Sequence, residues 1–310
     1  MTPAIRTEGL SKRFGDIVAV DKLDLVIEER AVFGFLGPNG AGKTTTVKML
    51  TGLSAPTAGR AFICGEEVTQ ASISVRKNFG FLPDVPAFYD WMTGEEYLKF
   101  AGELYGMTYP AINKRAAELL EIVDIKKAAR RKVGGYSRGM KQRLGIAQAM
   151  LNHPRVLFLD EPTSALDPIG RRDVLDLIGR LKEEATVFMS THILSDVERV
   201  CDCVGIIDKG KLLVTATVDE LRQKYARPVF EIQFEEDDKA FIEAVQSRPW
   251  FVKAEKAGVN GSSMLRITAR DVGAARKELP QLIPGCGLTL LRYELAQPSL
   301  EDIFVEVVGS

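Results

Sequence analysis

Gly37-Pro38-Asn39-Gly40-Ala41-Gly42-Lys43-Thr44 carries the strongest chemical signal in this 310-residue chain. The eight residues fit the pattern G-x-x-x-x-G-K-[ST] in full. From average composition, an accidental match in a chain of this length has a chance of about 1%, so the motif reads as chemistry rather than as a glycine turn. Phosphate oxygens need many donors in a small space, and the backbone N–H groups of a tight glycine loop supply them. Gly37, Gly40 and Gly42 let the backbone take turn conformations and approach a ligand closely. Lys43 places a point charge at β- and γ-phosphates. Thr44 offers a hydroxyl to Mg²⁺, a cation that keeps most of its other ligands as water and phosphate oxygen.

Asp160-Glu161 is a second candidate site. Asp160 ends the apolar run 156–159, so a strand there delivers its carboxylate to a metal, directly or through water. Glu161 follows and points elsewhere, where it can polarise a water in line with a γ-phosphate. An Asp-Glu pair is common by chance and gains its weight from the glycine loop on a separate strand.

These sites need rigid elements behind them. The apolar runs 31–36, 156–159, 186–189 and 204–207 are short and bounded by turn signals, as buried strands of a doubly covered sheet are. Helical patterns over 44–51, 112–122, 141–151, 171–181 and 193–200 alternate with them, which predicts a mainly parallel α/β sheet. After about Tyr225 the pattern changes. Strand-like segments at 229–234, 251–255, 264–268 and 288–293 and helical ones at 239–247 and 273–282 follow the order β-α-β-β-α-β. An Asn260-Gly261 turn falls between the middle strands. That order predicts a small α+β, ferredoxin-like domain over 226–310.

Four further segments decide the class of the glycine loop. They are Phe79 to Pro83 (FGFLP), Gly135 to Arg143 (GYSRGMKQR), Ser164-Ala165-Leu166-Asp167 and Ser190-Thr191-His192. With these motifs in this order over about residues 5–215, the chain closely resembles the ATP-binding subunit of an ABC transporter. The resemblance implies a P-loop ABC ATPase domain over 1–225. That domain has a RecA-like core, an antiparallel β subdomain and a helical subdomain over about 85–150. It implies ATP and Mg²⁺ as ligands and a head-to-tail dimer with two ATP molecules between subunits. Gly37, Pro38, Asn39, Gly40, Ala41, Gly42, Lys43, Thr44 and Thr45 match the phosphate-binding segment, and Phe14 matches the aromatic residue that stacks on adenine. Thr44 and Asp160 match the metal site, Glu161 the general base, and His192 the histidine that contacts the γ-phosphate. Ser137, Arg138 and Gly139, at a helix start, match the signature that meets the ATP of the opposite subunit. Asp167 matches the loop that reports across the dimer interface.

Two departures from the family pattern matter. The usual Leu-Ser-Gly-Gly-Gln signature is Tyr136-Ser137-Arg138-Gly139-Met140 here. The glutamine that usually follows the FGFLP-type segment is Asp84, which could bind Mg²⁺ but cannot donate hydrogen bonds. Both departures, and the tail Gln297 to Phe304, resemble a subgroup of ABC-2-type exporter ATPases with a small C-terminal domain. One P-loop per chain implies a homodimer, or pairing with a related ATPase subunit. The transport path then belongs to an integral-membrane permease subunit, which places this chain in the cytoplasm, peripheral on the inner face of the cell membrane. The stretch 84–100, with Phe88, Tyr89, Trp91 and Met92, either receives a permease helix or packs within the helical subdomain. A soluble ABC ATPase acting on ribosomes or nucleic acid is the competing reading. It is disfavoured because such members usually carry two ATP-binding domains.

Composition sets the outer bounds. The chain is 45% hydrophobic and 27% charged, with 41 basic and 42 acidic residues, as expected of an ordinary globular protein. Residues 1–225 hold 31 basic and 29 acidic residues, and residues 226–310 hold 10 and 13. Neither part has the basic excess of a nucleic-acid binder. The longest uncharged stretch, 279–291, spans 13 residues and contains two prolines, short of the 18 or so that a membrane span needs. Residues 1–10 lack the apolar run of a signal peptide. The four cysteines are scattered and read as reduced thiols, with Cys201 and Cys203 too few for a structural zinc site. His153, the basic run 126–132 and the acidic run 235–238 read as solvated surface.

Overall fold

The computed structural model describes residues 2–164, 166–225, 229–235, 238–257, 264–296 and 300–309. The chain divides into two compact units, Met1–Val218 and Asp219–Ser310.

The first unit opens with β1 (Ile5–Phe14) and β2 (Ile17–Ile27), paired antiparallel. β3 (Val32–Leu36) feeds the glycine loop and α1 (Lys43–Leu50). β4 (Ala58–Ile63) and β5 (Glu66–Glu67) complete an antiparallel sheet of order β2-β1-β4-β5. α2 (Ile73–Arg76) and β6 (Phe79–Leu82) lead to a helical segment of α3 (Gly94–Leu104), α4 (Tyr109–Ile122) and α5 (Arg138–Met150). The chain then alternates β7 (Val156–Asp160), α6 (Pro168–Leu181), β8 (Thr186–Thr191), α7 (Leu194–Val200) and β9 (Cys203–Asp208), and ends the sheet with β10 (Lys211–Thr217). The sheet order is β10-β9-β3-β8-β7-β6, parallel except for β10.

The central strands are buried on both faces, and their side chains alternate between two cores. Phe33, Phe35, Phe158 and Phe188 point toward the antiparallel sheet, with neighbouring ring centroids 5.3–5.6 Å apart. Leu157, Leu159, Val187 and Met189 point the other way, toward α4, α5 and α6. This two-sided anchoring leaves the ends of β3, β7 and β8 little freedom, and those ends carry the candidate chemistry.

Side-chain caps fix where helices begin. Thr93 and Glu96 form a reciprocal capping box at the start of α3. Ser137 accepts from Met140 N–H and starts α5 at Arg138, three residues earlier than the apolar period suggested. Arg138 and Gly139 therefore sit in a first helical turn, among N–H groups without intrahelical partners.

α8 (Val218–Tyr225) follows β10 and, from Asp219 on, lies in the second unit. The second unit contains β11 (Val229–Phe234), α9 (Lys239–Gln246), β12 (Phe251–Ala257), β13 (Met264–Ala269), α10 (Val272–Gly285), β14 (Leu290–Ala296) and α11 (Leu300–Gly309). Its antiparallel sheet has the order β12-β13-β11-β14, the split βαβ arrangement of a ferredoxin-like unit. Phe230, Phe241, Trp250 and Leu279 centre a separate core. The expected Asn260-Gly261 turn lies outside the described residues, as does Ala165. One surface expectation fails. Asp238 is buried at the start of α9 and paired with Lys256 of β12, because a strand folds over a residue that looked like part of a solvated acidic turn.

Among the described residues no helix is long and apolar enough to cross a membrane.

Candidate functional site

The glycine loop is moulded by its surroundings. A Cβ on Gly37 would lie 2.3 Å from the Ile207 carbonyl oxygen, and one on Gly42 2.5 Å from that of Ala19. Gly40 and Gly42 also have φ of 82° and 109°, a region L side chains disfavour. The Gly210 N–H donates to the Ala41 carbonyl at 3.0 Å, bracing the loop from behind. Pro38, Asn39 and Gly40 are exposed, whereas Gly37, Ala41 and Gly42 are buried.

Lys43 opens α1 and is buried. Its ammonium donates to the carbonyls of Gly37 at 2.8 Å and Pro38 at 3.2 Å, and lies 3.2 Å from Glu161 Oε1. The exposed Thr44 donates its hydroxyl to Asp160 Oδ1 at 3.2 Å. Thr45 is half-buried beside it. The first turn of α1 contains no acidic residue, so nothing there opposes an anion at the positive end of the helix.

Register between β7 and β8 assembles the second half. Asp160 stands opposite Ser190. The buried Ser190 hydroxyl donates to Asp160 Oδ1, and the Glu161 N–H donates to the Ser190 carbonyl at 3.0 Å and hydroxyl at 3.2 Å. Glu161 has φ of 48°, a left-handed conformation uncommon outside glycine and costly by roughly 1 kcal/mol. This kink turns its carboxylate off the line of β7. One oxygen meets Lys43, and the other lies 2.8 Å from His192 Nδ1. Ser190 was not recognised from the sequence as a site residue; a hydroxyl one strand away from a strand-ending aspartate is the only signal for it.

The remaining candidates, Phe14 apart, lie around two cavities. One, of about 650 Å³, is lined by Asn39, Asp84, Arg138, Glu161, Ser164 and His192, among others. The second, of about 390 Å³, brings Ser137, Arg138 and Gly139 together with Asp167. A Cβ on Gly139 would meet nothing within 4 Å, so this helix start is open to an approaching group. Asp84 accepts from the Ser164 hydroxyl at 2.5 Å, whereas Asp160 Oδ1 accepts from Thr44 and Ser190. Phe14 is exposed at the end of β1, with the Lys12 ammonium 5.1 Å from its ring centroid.

Other polar features separate from this cluster. A larger cavity, of about 780 Å³, carries ion pairs of Arg143 with Asp124 and Asp173, of Arg199 with Asp176 and of Lys182 with Asp202. Burial pushes the Cys201 thiol pKa up. No group of three or more metal-ligating side chains occurs among the described residues. The Thr44 and Asp160 oxygens at 3.2 Å fit a hard, largely hydrated cation such as Mg²⁺. The glycine cradle with a buried ammonium fits phosphates.

A family model described as "ABC transporter" matches residues 20–164, and one described as "ATP-binding protein DrrA1-3-like, C-terminal domain" matches residues 217–308. The chain is 40% identical to the ABC transporter ATP-binding protein YxlF of Bacillus subtilis, over 97% of this chain and 98% of that one. It is 38% identical to the bacitracin transport ATP-binding protein BcrA of Bacillus licheniformis, over 100% and 98%. Against the daunorubicin resistance ATP-binding protein DrrA3 of Streptomyces coeruleorubidus it is 33% identical, over 99% and 96%. A solved ATP-binding subunit of an ABC transporter superposes with a TM-score of 0.65 at 29% identity, covering 72% of this chain and 93% of its own.

Proposed function

The chain belongs to the ABC transporter family of ATP-binding proteins, and from that premise we propose that it hydrolyses ATP to drive export through a separate integral-membrane permease. The observation that carries this reading is the convergence of Lys43, Thr44, Asp160, Glu161 and His192 at the ends of three adjacent strands.

In this reading the loop from Gly37 to Thr45 binds the ATP phosphates. Lys43 offsets the charge that gathers on the β- and γ-phosphates, and Phe14 stacks on adenine. Thr44 and Asp160 hold Mg²⁺, which when bound neutralises phosphate oxygens; Asp84 is a further candidate ligand. Glu161 accepts the proton of the attacking water. His192, against the far oxygen of Glu161, holds that carboxylate in place and faces the γ-phosphate. Ser137, Arg138 and Gly139 serve the ATP held by the opposite subunit, and Asp167 lies at that interface. One loop per chain requires a second copy or a related ATPase.

We place the ATPase unit over residues 1 to about 225, with its helical part over about 85–150, and an accessory domain over 226–310; the division of the compact units at Val218 puts α8 on the accessory side of that boundary. The aromatic cluster divides its labour. Phe88 and Met92 pack into the helical core, whereas Tyr89 and Trp91 are exposed with ring centroids 5.8 Å apart. The exposed pair is the part suited to the permease. Relatives named for bacitracin transport and daunorubicin resistance support the exporter reading, and with it a position on the inner face of the membrane.

Isolation of the tagged protein from native membranes tests the proposal. A companion with several membrane-spanning helices, whose presence raises ATP turnover, is expected. Ribosomal companions alone would overturn the exporter reading.

A further inference from the structure

Asp196, on α7, is fully buried and takes no part in the chemistry above. Its Oδ2 accepts from the Thr163 hydroxyl at 2.5 Å, and its Oδ1 from Arg171 Nε at 2.6 Å. Arg171 Nη2 also donates to the Ser195 hydroxyl at 2.8 Å. These partners belong to three different segments. Thr163 lies two residues beyond Glu161. Arg171 lies one helical turn beyond Asp167, whose carbonyl accepts its N–H at 2.9 Å. Asp196 itself lies four residues beyond His192.

We propose that Asp196 is a positioning residue that sets the Glu161–His192 pairing and ties it to the Asp167 turn. The proposal rests on the reading that Glu161 and His192 hydrolyse ATP. A buried ion pair is a poor way to add stability, because apolar residues of similar volume often serve as well or better. What it adds is direction: two oxygens of one carboxylate, each with a fixed donor, leave the three segments a single relative placement. A shift at the Asp167 turn moves Arg171, then Asp196, and so reaches the segments carrying His192 and Glu161. The Lys43 loop meets this chain of contacts at Glu161 and supplies neither of the Asp196 donors.

The test compares purified full-length D196N, T163V, T163S and H192A proteins and the H192A/D196N double variant. D196N keeps shape and removes charge. Its kcat is expected to fall at least tenfold or so while KM for ATP stays within about twofold. T163V falls in the same direction, and T163S, which keeps the hydroxyl, lies closer to wild type. The double variant is expected to be no slower than H192A, because Asp196 acts through His192. Circular dichroism and melting establish that each variant is folded. If D196N does not fold, the T163V and T163S pair carries the same comparison with the Asp196–Arg171 bond retained. Turnover that falls only with the folded fraction, or H192A and D196N losses that multiply, would overturn the proposal while leaving the site reading in place. Wild-type turnover by H192A would overturn both.

Discussion

The Lys43 ammonium lies 3.2 Å from a carboxylate oxygen of Glu161, and both side chains are largely buried. The cation assigned to the phosphates and the base assigned to the water are thus partners of one another. A phosphate entering the loop competes with Glu161 for the ammonium. E161Q keeps an oxygen facing Lys43 and removes the charge and the basicity. Nucleotide binding should persist or tighten, while turnover drops by roughly 10²- to 10⁴-fold and an ATP-bound dimer accumulates. Equilibrium nucleotide titration, phosphate release and sedimentation read the three parts. A variant that releases phosphate at the wild-type rate removes Glu161 from the base role.

K43A acts on the other half of the pair. It deletes the donor to the Gly37 and Pro38 carbonyls and leaves Glu161 with His192 alone. Charge-assisted bonds contribute about 1.5–3 kcal/mol each, so loss of one phosphate contact weakens ATP binding by roughly 10- to 100-fold. Calorimetric titration with ATP checks this, and unchanged affinity contradicts the phosphate assignment of the loop.

How much of this was legible depended on how local each signal is. The glycine loop is contiguous, so its pattern could be read directly, although the carbonyls that crowd Gly37 and Gly42 belong to Ile207 and Ala19 elsewhere in the chain. β7 was legible because a strand buried on both faces is an unbroken apolar run. β1 and β2 have no such run, since one face carries Arg6, Glu8, Lys12 and Asp24 toward solvent or salt bridges. The Ser190–Asp160 bond depends on strand register between segments 30 residues apart, and the Asp196 contacts on helix packing. Neither leaves a mark in local spacing. Asp238 misled for the same reason, because its burial is made by β12.

Gly139 separates a functional role from a structural one. A Cβ there meets no atom within 4 Å, and its place in the first turn of α5 requires no positive φ. G139A should fold normally and gain up to about 1 kcal/mol of helix stability. The added methyl faces the surface assigned to the other subunit's ATP, so turnover and ATP-driven dimerisation should fall while monomer nucleotide binding holds. Wild-type turnover would remove Gly139 from that interface.

The α3 cap predicts a pH dependence. The backbone N–H and then the hydroxyl of Thr93 hold the Glu96 carboxyl below its ordinary value of 4.5. A depressed folded-state pKa contributes stability that is present above the unfolded value and lost as pH falls through the folded one. Wild type should therefore melt above E96Q at neutral pH. The gap should narrow as pH falls below about 4, and a constant gap in thermal melts would show that the carboxylate charge is not used.

The two units offer a direct test of domain independence. The buried clusters of the ATPase unit draw on residues 4–207, and that of the second unit on residues 230–283. A chain ending at Tyr225 therefore keeps every residue of the first two clusters, with all strands of both its sheets. Two hydrophobic clusters of that size, one on each face of the sheet, are ample for independent folding. The truncated protein should be soluble, melt cooperatively and bind ATP with affinity within about twofold of the full chain, since K43A-sensitive contacts are untouched. Its turnover and dimerisation then report what residues 226–310 add. Recovery of the truncated chain only as unfolded aggregate would place the accessory unit within the ATPase fold rather than beside it.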